Sequence, residues 1–379
     1  EIYTLSLHDA LPISTSRIPQ EHDLPGREVQ AIVLQACPLG GPESDRIIFK
    51  NMSKITFPWY PLWYGIMWYS FVKLKPERTL FWNRERRMFF VRNMQNNFLA
   101  PAEIAQYVVD VGQRKAELAP VKQLILGVLA GAFIALASQG SNEAIHTIES
   151  IGLGKSLGGA LFATGLILVV VAGGELFTGN CLMVMALSER RITLKALLRS
   201  WLIVYLGNLI GSVLVAWLVL KTGQLKYTEG LLGGFTIKLA AYKTALTFEK
   251  AFFWGILCNW LVCLAVWMAY GAGDIAGRIL AIFFPIWLFV ASGFEHSVAN
   301  MYYIPAGILA KGDPLFVEKA LELGASQQAI DALGWGSMFS ANLLPVTLGN
   351  ILGGALFVGL TYWFVYVRGT CPKPETSSK

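Results

Sequence analysis

The chain has 379 residues, 54% of them hydrophobic and only 15% charged, against roughly 25% charge in an average soluble domain. That balance argues against a water-soluble globule. The formal net charge of +6 divides evenly into +3 for residues 1–93 (12 Lys+Arg minus 9 Asp+Glu) and +3 for the rest (19 minus 16), so neither part suggests a nucleic-acid surface.

Residues 1–93 hold no charge-free apolar window of about 20 residues, the length that spans a bilayer, although Phe57 to Phe71 is rich in Trp and Tyr. No basic segment followed by an apolar one and a small-residue cleavage site opens them, so they do not read as a signal peptide. The opening EIYTLSLHDALPIS looks like translated sequencing-adapter read-through. Residues 1–93 are therefore expected to be a non-native or disordered extension, with Met94 heading the part that follows. Residues 94–122 predict an amphipathic N-terminal helix, in which Ala, Ile, Tyr, Val and Leu recur among Glu103, Asp110, Arg114, Lys115 and Glu117. Residues 123–368 form the membrane part, and 369–379 a C-terminal tail.

From Gln123 the charge-free windows are Gln123–Asn142, Ser156–Gly174 with Leu176–Ser188, Ser200–Leu220, Ala251–Gly273, Ile279–Phe294 with Ser297–Ala310, and Ala332–Val367. These windows predict an all-α integral membrane fold of six transmembrane helices. The second is interrupted at Glu175 and the fifth at Glu295-His296; the other four read as continuous. Cys181, Cys258 and Cys263 lie inside apolar runs, with Cys37 and Cys371 outside them, a spacing that points to neither disulfides nor a metal site.

Internal matches organise these spans. Glu175-Leu-Phe-Thr-Gly-Asn180 shares the frame Glu-x4-Asn with Glu295-His-Ser-Val-Ala-Asn300, and Leu206-Gly-Asn-Leu-Ile-Gly211 matches Leu348-Gly-Asn-Ile-Leu-Gly353. A weaker echo sets Gly127-Val-Leu-Ala-Gly131 against Gly255-Ile-Leu-Cys-Asn259. The pattern is a tandem duplication with three spans per repeat, and an odd number of spans inverts the second copy. An inverted 3+3 repeat with a broken helix in each half points to a substrate site at the membrane midplane. Backbone freed at such breaks costs several kcal/mol per unpaired group, so it is expected to line a protein cavity. The restarting half-helices aim their N-terminal dipoles inward and favour an anion. Short-loop charges, including Arg190, Arg191, Lys195, Arg199, Arg278 and Arg368, put both termini in the cytoplasm by the positive-inside rule.

Gly174-Glu-Leu-Phe-Thr-Gly-Asn180, Cys258-Asn-Trp-Leu-Val-Cys-Leu-Ala-Val-Trp267, Ala291-Ser-Gly-Phe-Glu-His-Ser-Val-Ala-Asn-Met301 and Asn342-Leu-Leu-Pro-Val-Thr-Leu-Gly-Asn350 resemble, in order, the motifs of the formate/nitrite transporter family, over roughly residues 97–368. The resemblance implies an aquaporin-like fold and a homopentamer with one pore per protomer in the cell (inner) membrane. Paired Asn-Pro-Ala signatures are absent, which argues against a water or glycerol channel. The implied activity is passive or proton-linked movement of a small monovalent anion. Formate leads, because the stretches around Leu261 to Met268 and Gly293 to Ser297 most resemble the formate channels; nitrite and hydrosulfide are the alternatives. A proton-coupled secondary transporter shares the inverted repeat.

His296 is the only histidine in a membrane span, and the resemblance places it at the pore centre, where it gives or shares a proton with the passing anion. Thr178 occupies the first break, where its hydroxyl can donate to the anion or to His296. The resemblance also makes Lys243 a vestibule lysine and Asn259 its polar partner. Glu175 and Glu295 read as structural carboxylates that accept bonds from freed loop amides or cap the restarting half-helices. Asn208 and Asn350 are expected to tie the third and sixth spans to the broken helices. Leu176, Phe177 and Phe294 are candidate gates, since an apolar ring holds back a hydrated ion while passing a small neutral molecule. No cofactor, metal or catalytic residue is implied: there is no HExxH, no second histidine in a span and no Gly-x-Ser-x-Gly, so the chain does not read as an enzyme.

Overall fold

In the computed structural model the described residues run from 98 to 369, within one unit, Phe81–Lys379. The extension expected over residues 1–93 and most of the tail therefore lie outside the described residues. Helix α1 spans Pro101–Glu117 and buries Ile104, Ala105, Val108, Val109, Gly112 and Ala116 along one face, the amphipathic stripe that its sequence predicts. Then come α2 (Pro120–Ile145), α3 (Ile151–Gly173), the short α4 (Phe177–Ser188), α5 (Leu194–Thr222), α6 (Leu231–Thr244), α7 (Phe248–Gly271), α8 (Ile275–Ser292), α9 (Ser297–Ala310), α10 (Pro314–Glu322), α11 (Gln327–Ala332) and α12 (Trp335–Tyr366). Among the described residues, six of these helices (α2, α3, α5, α7, α8 and α12) are long and apolar enough to cross a membrane. Extended pairing is confined there to one isolated bridge, Phe98 with Ala272.

Local chemistry sets the boundaries. Pro occupies the first turn of α1 and α2, where its missing N–H has no partner to lose. Thr193, Thr247 and Asp274 cap α5, α7 and α8 through side-chain oxygens. Gly223, with φ +75°, ends α5 in the left-handed region that glycine enters without strain. Large apolar side chains such as Leu198, Leu202, Leu206 and Ile210 stand exposed along α5, which is tolerable where the surroundings are hydrocarbon or a neighbouring protein, not water.

Two helix pairs use the same close approach. A Cβ added at Gly211 would collide with the Val128 carbonyl of α2, and one at Gly353 with the Ile256 carbonyl of α7. The glycines of the two matched sequence stretches thus bring α5 against α2 and α12 against α7, backbone to backbone.

Two features lie beyond the charge pattern. The stretch between the third and fourth spans forms helix α6, and Lys243 lies in its last turn. The sixth span is continuous but widens into π turns at 338–343 and 352–360, next to Gly354, where an added Cβ would strike Asn259, Cys263 and Cys181. A π turn shifts the register of side chains within an otherwise apolar helix, which hydropathy does not register.

Candidate functional site

Both interrupted spans break as the charges predict, between α3 and α4 and between α8 and α9. Gly173 (φ +100°) and Gly293 (φ +75°) make the turns. Each break is then stapled by an asparagine from the glycine-rich helix opposite. At the first, the Phe177 N–H donates to Asn208 Oδ1 (2.9 Å), while Asn208 Nδ2 donates to the carbonyls of Gly127 (2.8 Å) and Glu175 (2.9 Å). At the second, the Ser297 N–H donates to Asn350 Oδ1 (2.9 Å), and Asn350 Nδ2 to the carbonyls of Gly255 (2.8 Å) and Glu295 (3.0 Å). Groups that would otherwise stand unpaired in a low-dielectric interior are satisfied by the same atoms in both places. This is the tie expected of Asn208 and Asn350.

The carboxylates do a different job from the one expected. Neither Glu175 nor Glu295 accepts a loop amide through its side chain; each holds a lysine and the asparagine five residues on. Glu175 Oε2 accepts from Lys115 Nζ (2.8 Å) and Asn180 Nδ2 (2.8 Å), and Lys115 also donates to Asn180 Oδ1 (2.7 Å). Glu295 Oε1 accepts from Lys243 Nζ (2.7 Å), and its Oε2 from Asn300 Nδ2 (2.6 Å). Lys243 is buried and lies 5.3 Å from the centre of the Tyr303 ring, a distance at which the ring face attracts a cation. Capping of α9 falls to His296, whose Nδ1 accepts the Ala299 N–H at 3.0 Å.

Asn259 also corrects its expectation. Its Nδ2 donates to the carbonyls of Thr178 (3.2 Å) and Asn350 (2.6 Å), so it joins helices across the centre and does not partner Lys243. The lysine's partner is Glu295.

His296 and Thr178 meet. His296 Nε2 lies 3.0 Å from Thr178 Oγ1, and both residues are buried. Because Nδ1 is an acceptor here, the hydrogen of the neutral ring sits on Nε2 and is donated to the Thr178 oxygen. The threonine's own hydroxyl hydrogen is then free to turn toward a third group. The Thr178 carbonyl is anchored from α7 by Asn259 and by the Cys263 thiol at 3.3 Å, so the hydroxyl is borne on a fixed turn.

Leu176 and Phe177 are buried at the first break. Phe177 packs edge-on to Tyr205, with ring centres 4.9 Å apart. Phe294 lies at the second break and, with Asn142, Lys155, Lys243, His296 and Tyr303, lines a cavity of about 760 Å³. Side chains of α6, α3 and the second break, the histidine included, share the lining of this cavity. Its size and mixed lining suit a binding cleft.

Lys115 is the residue that sequence reasoning placed among the charges of the amphipathic N-terminal helix and gave no part at the breaks. A signal was available: Lys115 stands twelve residues before Gly127, and Lys243 stands twelve before Gly255. The paired frames therefore predict a lysine for each glutamate.

A model of the family described as formate/nitrite transporter matches residues 102–364. The chain belongs to the formate/nitrite transporter family. It is 39% identical over 274 residues to the formate channel FocA of Escherichia coli (strain K12), covering 72% of this chain and 96% of that protein. It is 39% identical over 274 residues to the formate channel BtFdhC of Bacillus thuringiensis, covering 72% and 97%. Among solved structures, a pentameric formate channel with formate bound superimposes with a TM-score of 0.58 at 36% identity, over 66% of this chain and 98% of that one. An FNT family ion channel superimposes with a TM-score of 0.59 at 30% identity, over 69% and 98%. Family and fold together make this chain a multi-pass membrane transport protein.

Proposed function

We propose that this protein is a formate channel of the inner membrane, assembled as a homopentamer with one pore in each protomer and with both termini cytoplasmic. The observation that carries the reading is the hydrogen bond between His296 and Thr178 at the meeting of two broken spans. Channels named for formate among its relatives support the choice of anion, and the pentameric neighbour supports the assembly. The apolar exposed face of α5 is suited to lipid or to a neighbouring protomer.

In this mechanism Lys115 and Lys243, each fixed by its glutamate, present ammonium donors near the two breaks. The apolar side chains Leu176, Phe177 and Phe294 strip water from the anion as it enters. The Thr178 hydroxyl, oriented by the Nε2 hydrogen of His296, then donates to a formate oxygen and replaces part of the lost hydration. A proton arriving with the anion is shared at this point, which lowers the charge that must cross the narrowest part. Nothing in these steps forms or breaks a covalent bond in the protein, and the protein acts as a channel and not as an enzyme.

The test is uptake into proteoliposomes of formate, nitrite and hydrosulfide, each alone and in competition. Formate should enter fastest and electrogenic or proton-linked flux should follow its gradient. Preference for nitrite or hydrosulfide would move the protein to another branch of the family. Uptake that accumulates formate against its gradient with fixed proton stoichiometry would make it a coupled transporter.

A further inference from the structure

We propose that Asn142 and Lys155 form an anion-binding site in this cavity, distinct from the Lys243–Glu295 pair, where a small carboxylate is held before it reaches His296. This inference rests on the formate-channel reading and adds a site to it.

Asn142, near the end of α2, is 1% exposed, and its Nδ2 has no hydrogen-bond partner among the described residues. A buried amide donor left unpaired is costly in a native structure unless a ligand or water takes it. The side chain lines the same cavity as His296, so a ligand there can satisfy it.

Lys155, exposed one turn into α3, supplies charge. Its Nζ lies 3.4 Å from where a Cβ would stand on Gly293, the turn residue of the second break. Lys243 and Lys238 also line this cavity, but the first is paired with Glu295 and the second donates to the Leu323 carbonyl at 2.6 Å. Among the described residues, Lys155 has no carboxylate within ion-pair distance. The acidic groups lining the cavity are Glu149, exposed at the rim, and Glu295, already held by Lys243 and Asn300. His146, also in the lining, is engaged by the Glu143 carbonyl and the Thr228 hydroxyl.

An unpaired ammonium and an unpaired amide donor lining one cavity are each suited to a carboxylate oxygen. They do not select a cation or a neutral solute. The cavity is far larger than a one-carbon anion, so it has room for a holding site apart from His296.

Initial rates of formate uptake are measured against concentration in proteoliposomes for wild type, Asn142→Leu, Asn142→Asp, Lys155→Gln and Lys155→Arg. The half-saturating concentration should rise roughly three- to tenfold in Asn142→Leu and Lys155→Gln, the loss expected for one charge-assisted bond. The maximal rate should stay within about twofold of wild type. Asn142→Asp, nearly isosteric but negative, should raise the half-saturating concentration further, and Lys155→Arg should stay close to wild type. Added salt should shrink the Lys155→Gln effect and leave that of Asn142→Leu in place. A melting temperature of Asn142→Leu equal to or above that of wild type would separate lost binding from misfolding. Unchanged half-saturation in both Asn142→Leu and Lys155→Gln, with wild type conducting formate, overturns this site alone. A wild-type protein that conducts no small anion overturns this site and the channel reading together.

Discussion

His296 Nε2 stands 3.0 Å from the Thr178 hydroxyl across 118 residues of sequence, each side chain carried on the turn of a different broken span. The ring is bonded on both nitrogens, since Nδ1 also holds the Ala299 N–H. Asparagine at 296 can repeat both contacts in part, with its oxygen on Ala299 and its amide on Thr178. His296→Asn should therefore conduct formate at a reduced rate, several-fold below wild type. Phenylalanine repeats neither and leaves two buried polar groups unpaired, so His296→Phe should lose roughly a hundredfold in uptake, about 1–3 kcal/mol for each bond lost. Flux above a tenth of wild type in His296→Phe would remove the histidine from the mechanism.

The staples at Asn208 and Asn350 each make three bonds, two to the broken backbone and one to a carbonyl of a neighbouring helix, Gly127 or Gly255. Leucine of similar size would strand those amides and carbonyls where no water reaches them, at several kcal/mol in total. Asn208→Leu and Asn350→Leu should both fail to yield a monodisperse oligomer in detergent, and to similar extents. Wild-type elution and melting for either variant would show that the breaks are held by other contacts.

Lys243 is buried against Glu295, and this alters what its removal does. A surface lysine that only concentrates anions would lose its effect in salt, whereas a buried pair is screened far less. Lys243→Ala should lower formate uptake and also destabilise the protein by about 3–5 kcal/mol, because the Glu295 carboxylate is left alone. The double variant Lys243→Ala with Glu295→Gln should recover most of the melting temperature without recovering the flux. Recovery of Lys243→Ala uptake at high salt would return the lysine to a surface role.

Fold and centre were legible in the sequence to different depths. Charge-free windows and the two interruptions located every span, because hydrocarbon excludes charge and so writes span limits into composition. Asn208 and Asn350 were legible through repetition, since two equal breaks need equal repairs. Glu175 and Glu295 were legible as paired but not in their bonds: a carboxylate beside freed amides suggests a cap, and only the fold reveals that a lysine from a preceding helix arrives first. Asn259 was misassigned for a related reason, as a polar side chain within a span has neighbours on several helices and its sequence does not say which. The unpaired state of Asn142 depends on what does not approach it, and no motif records that.

Lys115 offers the test of the pairing that the spacing concealed. Its ammonium is opposed by burial, but the Glu175 carboxylate and Tyr270 outweigh this and hold its pKa above the ordinary lysine value of 10.5. The backbone around it is fastened as well, with Gln123 donating to its carbonyl at 2.6 Å and Arg199 to that of Ala116 at 2.6 Å. A group whose pKa is raised on folding stabilises fully below its unfolded value, and that stability is lost as pH rises through the folded one. Lys115→Met should therefore melt below wild type at pH 7 by an amount on the order of 3 kcal/mol, the cost of a stranded carboxylate. The gap should be the same at pH 9 and begin to close only above about pH 10.5, where the lysine of the unfolded chain starts to lose its proton, closing further as pH passes through the raised folded value. Melting curves of both proteins at pH 7, 9 and 11 decide it: a gap already closed at pH 9 would mean that the Lys115 charge does not hold Glu175 at the first break.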